Sequence, residues 1–239
     1  MKEKTLQLFS GGKDSFLAAC KLIEEDKMVY LITYENGCGA KAENAKHGAD
    51  RIIERYGTDS VSFLGVRNIA GIWRHFFLPY FNMKPSEISE KYGEITISQF
   101  NCLTCRTAMY LYSIALCKRL DIYIISDGAR RDQGFVIELD DMLEKFRQLL
   151  LEYDIKLLLP VYNLDSDWER KNLLLLSGFV PKTLEPQCYL GVPLIGGHKP
   201  TDDVILGTIE FYNDFVYGKC KEIIDKIVVE EEYLISDLI

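Results

Sequence analysis

Ser10-Gly11-Gly12-Lys13-Asp14-Ser15 gathers two glycines, two hydroxyls, a cation and a carboxylate within six residues. Paired glycines let successive backbone N–H groups converge on one anion while no side chain blocks its approach. A helix opening near Asp14 adds free N–H groups and a positive dipole end, so the natural guest is phosphate. The stretch is not a Walker A loop. Gln7 stands where that motif has its first glycine, and Asp14 rather than Ser or Thr follows the lysine. A second reactive set is Cys102 and Cys105, a C-x-x-C pair, with Cys188 far downstream. The pair is expected at a loop-to-helix junction, where a helix N-terminus stabilises the thiolate needed for attack or metal binding. Three thiolates suit three irons of a [4Fe-4S] cluster and leave the fourth iron open. Tetrahedral zinc would need Cys38 or His198 as a further ligand, without motif support. Arg130 and Arg131 supply two guanidiniums for bidentate anion binding, in a polar loop that also holds Asp127 and Gly128.

The elements that must position these groups can be read from hydrophobic periodicity. Thr5 to Phe9 reads as a strand. Phe16, Leu17, Cys20 and Ile23 then share one face of a helix, which makes the glycine loop a strand-to-helix turn. Met28 to Tyr34 is a nearly continuous apolar run, as in a parallel strand buried on both faces, and ends in a turn cluster at Glu35 to Gly39. Ala42 to Tyr56 predicts a helix and Val61 to Val66 a strand. From Ile69 to Phe100 the pattern is less regular, and its many aromatics read as core packing. A helix through Met109, Leu111, Ile114 and Cys117 precedes a strand over Asp121 to Ser126. Further on come a helix over Asp141 to Tyr153, a strand over Ile155 to Val161, and a helix capped by Asp165 or Ser166. A loop rich in Gly and Pro follows, with Pro186 beside Cys188, and the tail from Asp202 is helical. Cys220 reads as a core thiol, and His47 and His198 as incidental.

This alternation predicts an α/β fold, a doubly wound parallel sheet with a mostly helical C-terminal extension. We expect a nucleotide domain over residues 1–180, with 181–239 packed on it. The 239 residues carry 28 Lys and Arg against 36 Asp and Glu, a net charge of −8, which argues against a broadly basic nucleic-acid surface. Seven cysteines with no visible secretion signal point to buried thiols, metal ligands or redox groups rather than a disulfide framework. No stretch is long enough to span a bilayer, so a cytoplasmic protein with no membrane partner is expected.

Ser-Gly-Gly-Lys-Asp-Ser, directly after a first strand, resembles the pyrophosphate-binding loop of the PP-loop ATP pyrophosphatases, the adenine nucleotide alpha hydrolase-like superfamily. The resemblance implies that Ser10, Gly11, Gly12, Lys13, Asp14 and Ser15 hold the β,γ-phosphates of ATP, with Asp14 near Mg2+. It places the end of the second strand, Tyr34 to Asn36, near the adenosine. The stretch from Cys102 to Tyr110, then Asp127-Gly128, Gln133-Gly134 and Leu159-Pro160, looks like the catalytic domain of 4-thiouridine synthetases, over roughly Leu6 to Leu176. That implies adenylation of a nucleobase carbonyl oxygen and displacement of AMP by sulfur. Cys105 or Cys188 would be sulfur carrier or cluster ligand and Cys102 its partner. The acceptor would be tRNA or a small nucleobase-containing molecule, and a homodimer is admitted. The nearest rival is the 7-cyano-7-deazaguanine synthase branch, which carries four zinc cysteines near its C-terminus where this chain has only Cys188 and Cys220. Amide or NAD synthesis is a more distant third. A nucleotide-binding subunit without turnover is the non-enzyme alternative.

Overall fold

A computed structural model of the chain describes residues 2–93, 95–182, 187–191 and 200–234. Strand β1 (Lys4–Leu8) passes through the glycine loop into helix α1 (Lys13–Glu24). Next come β2 (Met28–Glu35), the two-residue β3 (Gly39–Ala40), α2 (Ala45–Tyr56) and β4 (Val61–Asn68). Three helices follow: α3 (Ala70–Phe81), α4 (Pro85–Tyr92) and the 24-residue α5 (Ile97–Leu120). The chain continues through β5 (Ile124–Ser126), α6 (Asp140–Leu151), β6 (Lys156–Leu158), α7 (Asp167–Leu176) and β7 (Gln187–Cys188). It ends in α8 (Asp202–Phe211) and α9 (Gly218–Leu234), joined by a π-helical segment, Tyr212–Tyr217.

The main sheet has the order β4-β2-β1-β5-β6, and every pairing in it is parallel. Strands step outward from β1 through β2 to β4, then resume on the other side of β1 with β5. The chain therefore reverses between β1 and β5, and the crevice outside their carboxyl ends is where open α/β sheets take ligands. The expected doubly wound sheet is the sheet found, with its last two strands shorter than the periodicity suggests.

Alternation along β2 explains how both faces are filled. Val29 and Leu31 pack with Phe16, Leu17, Cys20, Ile52 and Leu174, from α1, α2 and α7. Ile32, between them and the next turn of the chain, packs on the opposite face with Leu6, Leu8 and residues of α3, α5, α6 and α9. Burying each large apolar side chain here contributes about 1.5–3 kcal/mol. The C-terminal helices belong to this second core: Tyr212, Val216, Cys220 and Ile224 are buried in it, and the Cys220 thiol donates to the Val216 carbonyl at 3.2 Å.

Two expectations need correction. The stretch after Ile69 is regular, since Pro85 sits at the first turn of α4 and the aromatics Trp73, Phe76, Phe77, Tyr92 and Phe100 line one core. The C-x-x-C pair is not at a helix start. Thr96 caps α5 and forms a capping box with Gln99, so the helix begins at Ile97 and both cysteines lie beyond its first turn. Ser166 caps α7 as expected, accepting from the Glu169 N–H at 3.1 Å. Among the described residues, no helix is long and apolar enough to cross a membrane.

Helices α4 and α8 meet at bare backbone: a Cβ on Gly207 would overlap the Tyr92 carbonyl oxygen. Replacing Gly207 with Ala should therefore destabilise the chain by about 1–3 kcal/mol, read as a lowered denaturation midpoint in urea.

Candidate functional site

At the reversal point the glycine loop closes on itself. Gly11 has φ +77°, and a Cβ there would stand 3.0 Å from Ala45 Cα, so only glycine fits on both counts. The Gly12 N–H donates to Ser10 Oγ at 3.1 Å, the Ser10 N–H to Ser15 Oγ at 3.2 Å, and the Ser15 hydroxyl to the Gly12 carbonyl at 3.1 Å. The first intrahelical bond of α1 runs from Phe16 N–H to Gly12 O at 3.0 Å. That leaves the N–H groups of Lys13, Asp14 and Ser15 without carbonyls inside the helix, at its positive end. Gly128, just after β5, lies against this turn: a Cβ there would stand 2.8 Å from Ser15 N and 2.9 Å from Ser15 Cα. The loop after β5 and the first turn of α1 thus meet through backbone alone.

Charges behind the loop are paired. Asp14 meets Arg170 Nε at 3.1 Å and Arg130 Nε at 3.3 Å. Burial pushes its carboxyl above the usual range, against the pull of Arg130, Arg170 and Lys13. Arg170 is 1% exposed and also holds Asp132 at 3.0 Å, while Lys13 pairs with Asp167 at the start of α7. Burial lowers the Lys13 ammonium, and the nearby Arg170, Lys171 and Arg130 charges push the same way against the pull of Asp14. Arg131 is not brought to the loop. It is exposed, 3.2 Å from Asp140 and over the Tyr162 ring, so of the two arginines only Arg130 reaches it.

A cleft of about 330 Å³ opens beside the loop. Ser10, Gly12, Asp14 and Ser15 form one wall, with Gly128; Tyr34 and Asn36, at the end of β2, lie between that wall and the next. Tyr34 hydrogen-bonds Ser113 at 2.7 Å. Cys102, Cys105 and Cys188 line the far side. Cys188 arrives through an antiparallel ribbon, β3 with β7, in which Gly39 faces Cys188 and the Tyr189 N–H donates to the Cys38 carbonyl at 2.8 Å. Asn36 donates to Cys105 Sγ at 3.3 Å and Asn101 to Cys188 Sγ at 3.6 Å. The expected trio is therefore collected in one cleft, with Cys38 beside it. Pro186 and His198 lie outside the described residues, and His47 is exposed on α2.

The helix start does not support a thiolate here, since both cysteines of the pair lie beyond the first turn of α5. Burial pushes the Cys105 thiol up to about 12, the neighbouring Cys188 and Cys102 raise it further, and Arg106 opposes them. Among the described residues, no group of three or more His, Cys, Asp or Glu is arranged to hold a metal ion. The expected cluster thus has no ligand set assembled among the described residues. All seven cysteines are free, with Cys20, Cys117 and Cys220 buried.

Sequence reasoning missed the acid–base network at the base of the cleft. Arg106 pairs with Asp127 and approaches Glu138 at 3.7 Å, while the Tyr110 hydroxyl donates to Asp127 at 2.8 Å. Glu138 is pushed up to about 7 by burial, against Arg106. Asp127 and Arg106 stood in the sequence beside motifs already singled out, but Glu138 and Arg170 carry no local signal.

No protein-family model matches the chain, and no curated protein does. Among solved structures, a 4-thiouridine synthetase in complex with RNA and bound ATP superposes on 95% of this chain with a TM-score of 0.58, at 9% identity. The match takes in 53% of that chain, so this protein spans about half the synthetase's length. A predicted subunit of tRNA methyltransferase from Methanocaldococcus jannaschii matches 79% of this chain and 96% of its own at 19% identity, with a TM-score of 0.44. At such identities the likeness is one of fold alone.

Three measurements test this geometry. Gly128→Ala should push the first turn of α1 out of place and destabilise the chain by about 1–3 kcal/mol, read as a lowered denaturation midpoint in urea. With its thiol near 12, about 10⁻⁴ of Cys105 is ionised at pH 8, so iodoacetamide should label it far more slowly in the native than in the unfolded chain, read by peptide mass spectrometry. Glu138 binds its proton more tightly folded than unfolded, so its contribution to stability falls as pH rises from about 4.5 to about 7. Glu138→Gln should flatten that part of the stability profile.

Proposed function

We propose that this protein is an ATP-using enzyme that adenylates a carbonyl oxygen of a nucleobase and then replaces the AMP with sulfur carried on cysteine. The observation that carries the reading is one cleft with two unlike walls. The lining brings the Ser10 and Ser15 side chains and the start of α1 at Asp14 and Ser15 into the same cleft as Cys102, Cys105 and Cys188.

In this reading the glycine loop holds the β,γ-phosphates of ATP, which arrives with Mg2+, and Lys13 leaves Asp167 to neutralise them. Arg130, rather than Arg131, is the guanidinium within reach of the phosphates. Tyr34 and Asn36 border the adenosine. The α-phosphorus then faces into the cleft, where the acceptor oxygen attacks it and pyrophosphate leaves. A carbonyl oxygen is a poor leaving group until AMP is attached, and a sulfur nucleophile can then displace it.

Cys188 is the better-placed sulfur carrier. It lies half-buried on the ribbon formed by β3 and β7 and lines the cleft, while burial and the neighbouring thiols raise the Cys105 thiol. Cys105 then serves as the second thiol, which cleaves the Cys188 persulfide bond and releases the thiolated base as the two cysteines join. Cys102 borders both. Residues 1–180 handle the nucleotide, and 181–239 contribute Cys188 and a helical cover. A tRNA acceptor is supported by the fold shared with an RNA-bound synthetase, of which this chain matches about half.

The test is turnover. Purified protein given Mg-ATP, unfractionated tRNA and a persulfide donor should release AMP and pyrophosphate in equal amounts and put sulfur into RNA. Lys13→Ala should slow AMP release by about a hundredfold. Cys188→Ser and Cys105→Ser should abolish sulfur incorporation while AMP release persists. ATP binding without pyrophosphate release would leave a nucleotide-binding subunit instead, and sulfur transfer undiminished in both cysteine variants would end the relay.

A further inference from the structure

Glu138 ends the short helical turn Val136–Glu138 and belongs to the cleft wall, yet no step above uses it. It is 5% exposed. Its Oε1 is 3.7 Å from the Arg106 guanidinium, and the Arg130 backbone N–H also supports the carboxyl. Its Oε2 is buried with no hydrogen-bond partner. An acceptor left unpaired in this way costs about 1–3 kcal/mol, and more when charged. Such a group is explained if a bound molecule supplies the donor.

The neighbouring charges leave that oxygen available. Arg106, from α5, is drawn onto Asp127, and Asp127 also takes the Tyr110 hydroxyl. Arg130 points to Asp14 through its guanidinium. Tyr162 donates its hydroxyl to the Glu138 backbone carbonyl rather than to the carboxyl. With its proton affinity raised by burial toward neutrality, Glu138 suits the exchange of a proton near pH 7.

We propose that Glu138 is a catalytic residue for adenylation, whose Oε2 accepts the N–H that flanks the carbonyl of the acceptor base. The assignment rests on the adenylation proposed above. As the carbonyl oxygen bonds to the α-phosphorus, the bond from phosphorus to pyrophosphate breaks. The C=O becomes C–O–P, the ring C–N becomes C=N, and the electron pair of the N–H bond moves into the ring. Glu138 receives the proton. A base without an N–H beside its carbonyl cannot make this contact, so the same carboxylate that takes the proton also selects the acceptor.

The experiment uses the full chain with α,β-methylene-ATP, and uridine as the simplest nucleoside carrying a ring N–H beside a carbonyl. In the presence of the analogue, uridine should bind at least tenfold more tightly than N3-methyluridine or cytidine, measured by titration calorimetry or ligand-observed NMR. Glu138→Ala should erase that preference while still binding the analogue. Glu138→Gln, which keeps the shape but cannot take the proton, should lower kcat for tRNA-dependent AMP release by about a hundredfold with the KM for ATP unchanged. Analogue binding with no preference for uridine, or a preference that survives in Glu138→Ala, overturns the Glu138 assignment alone. Unchanged kcat in Glu138→Gln does the same. Failure of the wild-type chain to bind the analogue or to release AMP overturns the adenylation reading beneath it.

Discussion

Buried charge must be compensated where it is buried, and this structure is arranged around that constraint. Arg170 is almost completely enclosed, and its guanidinium is shared by Asp14 and Asp132, with Asp167 at 3.9 Å. Taking such a cation out of water costs several kcal/mol, which is recovered only with partners in good geometry. The carboxylates therefore hold α7, the start of α1 and the loop after β5 in one relative placement. Removing Arg170 would leave the Asp14 carboxylate with Arg130 and Lys13 alone and loosen all three segments at once.

On the other side of the reversal point, Arg106 and Asp127 perform the same service for α5 and the end of β5. Between the two ionic clusters runs the contact of Gly128 with Ser15, which admits no side chain. The cleft is thus framed by charge pairs above a close backbone contact, and its opening is set by the distance between two parallel strand ends. Neither cluster stands alone: Arg130 reaches Asp14 from the loop that also supports Glu138, so the glycine loop and the buried acid of the cleft share a support.

The cysteine wall depends on a weaker device. The β3 and β7 ribbon pairs only two residues on each strand, yet it carries Cys188 across more than half the chain to the edge of the cleft. Asn36 and Asn101 tie two of the thiols to the main sheet's carboxyl edge and to α5 by hydrogen bonds to sulfur. These are weak contacts compared with the ion pairs around the glycine loop.

Local patterning alone determined the strand-to-helix turn at Ser10 to Ser15, the buried parallel strand β2 and the Ser166 cap of α7, because each depends on residues within one or two turns of one another. The start of α5 was equally local, written in the capping box of Thr96 and Gln99. Tertiary structure decided the rest. That burial raises the Cys105 thiol, that Arg130 and not Arg131 meets Asp14, that Arg170 is buried, and that Glu138 ends with an unpaired oxygen all depend on what other elements place around each side chain. Burial and charge pairing act through space, and no spacing along a single chain records them.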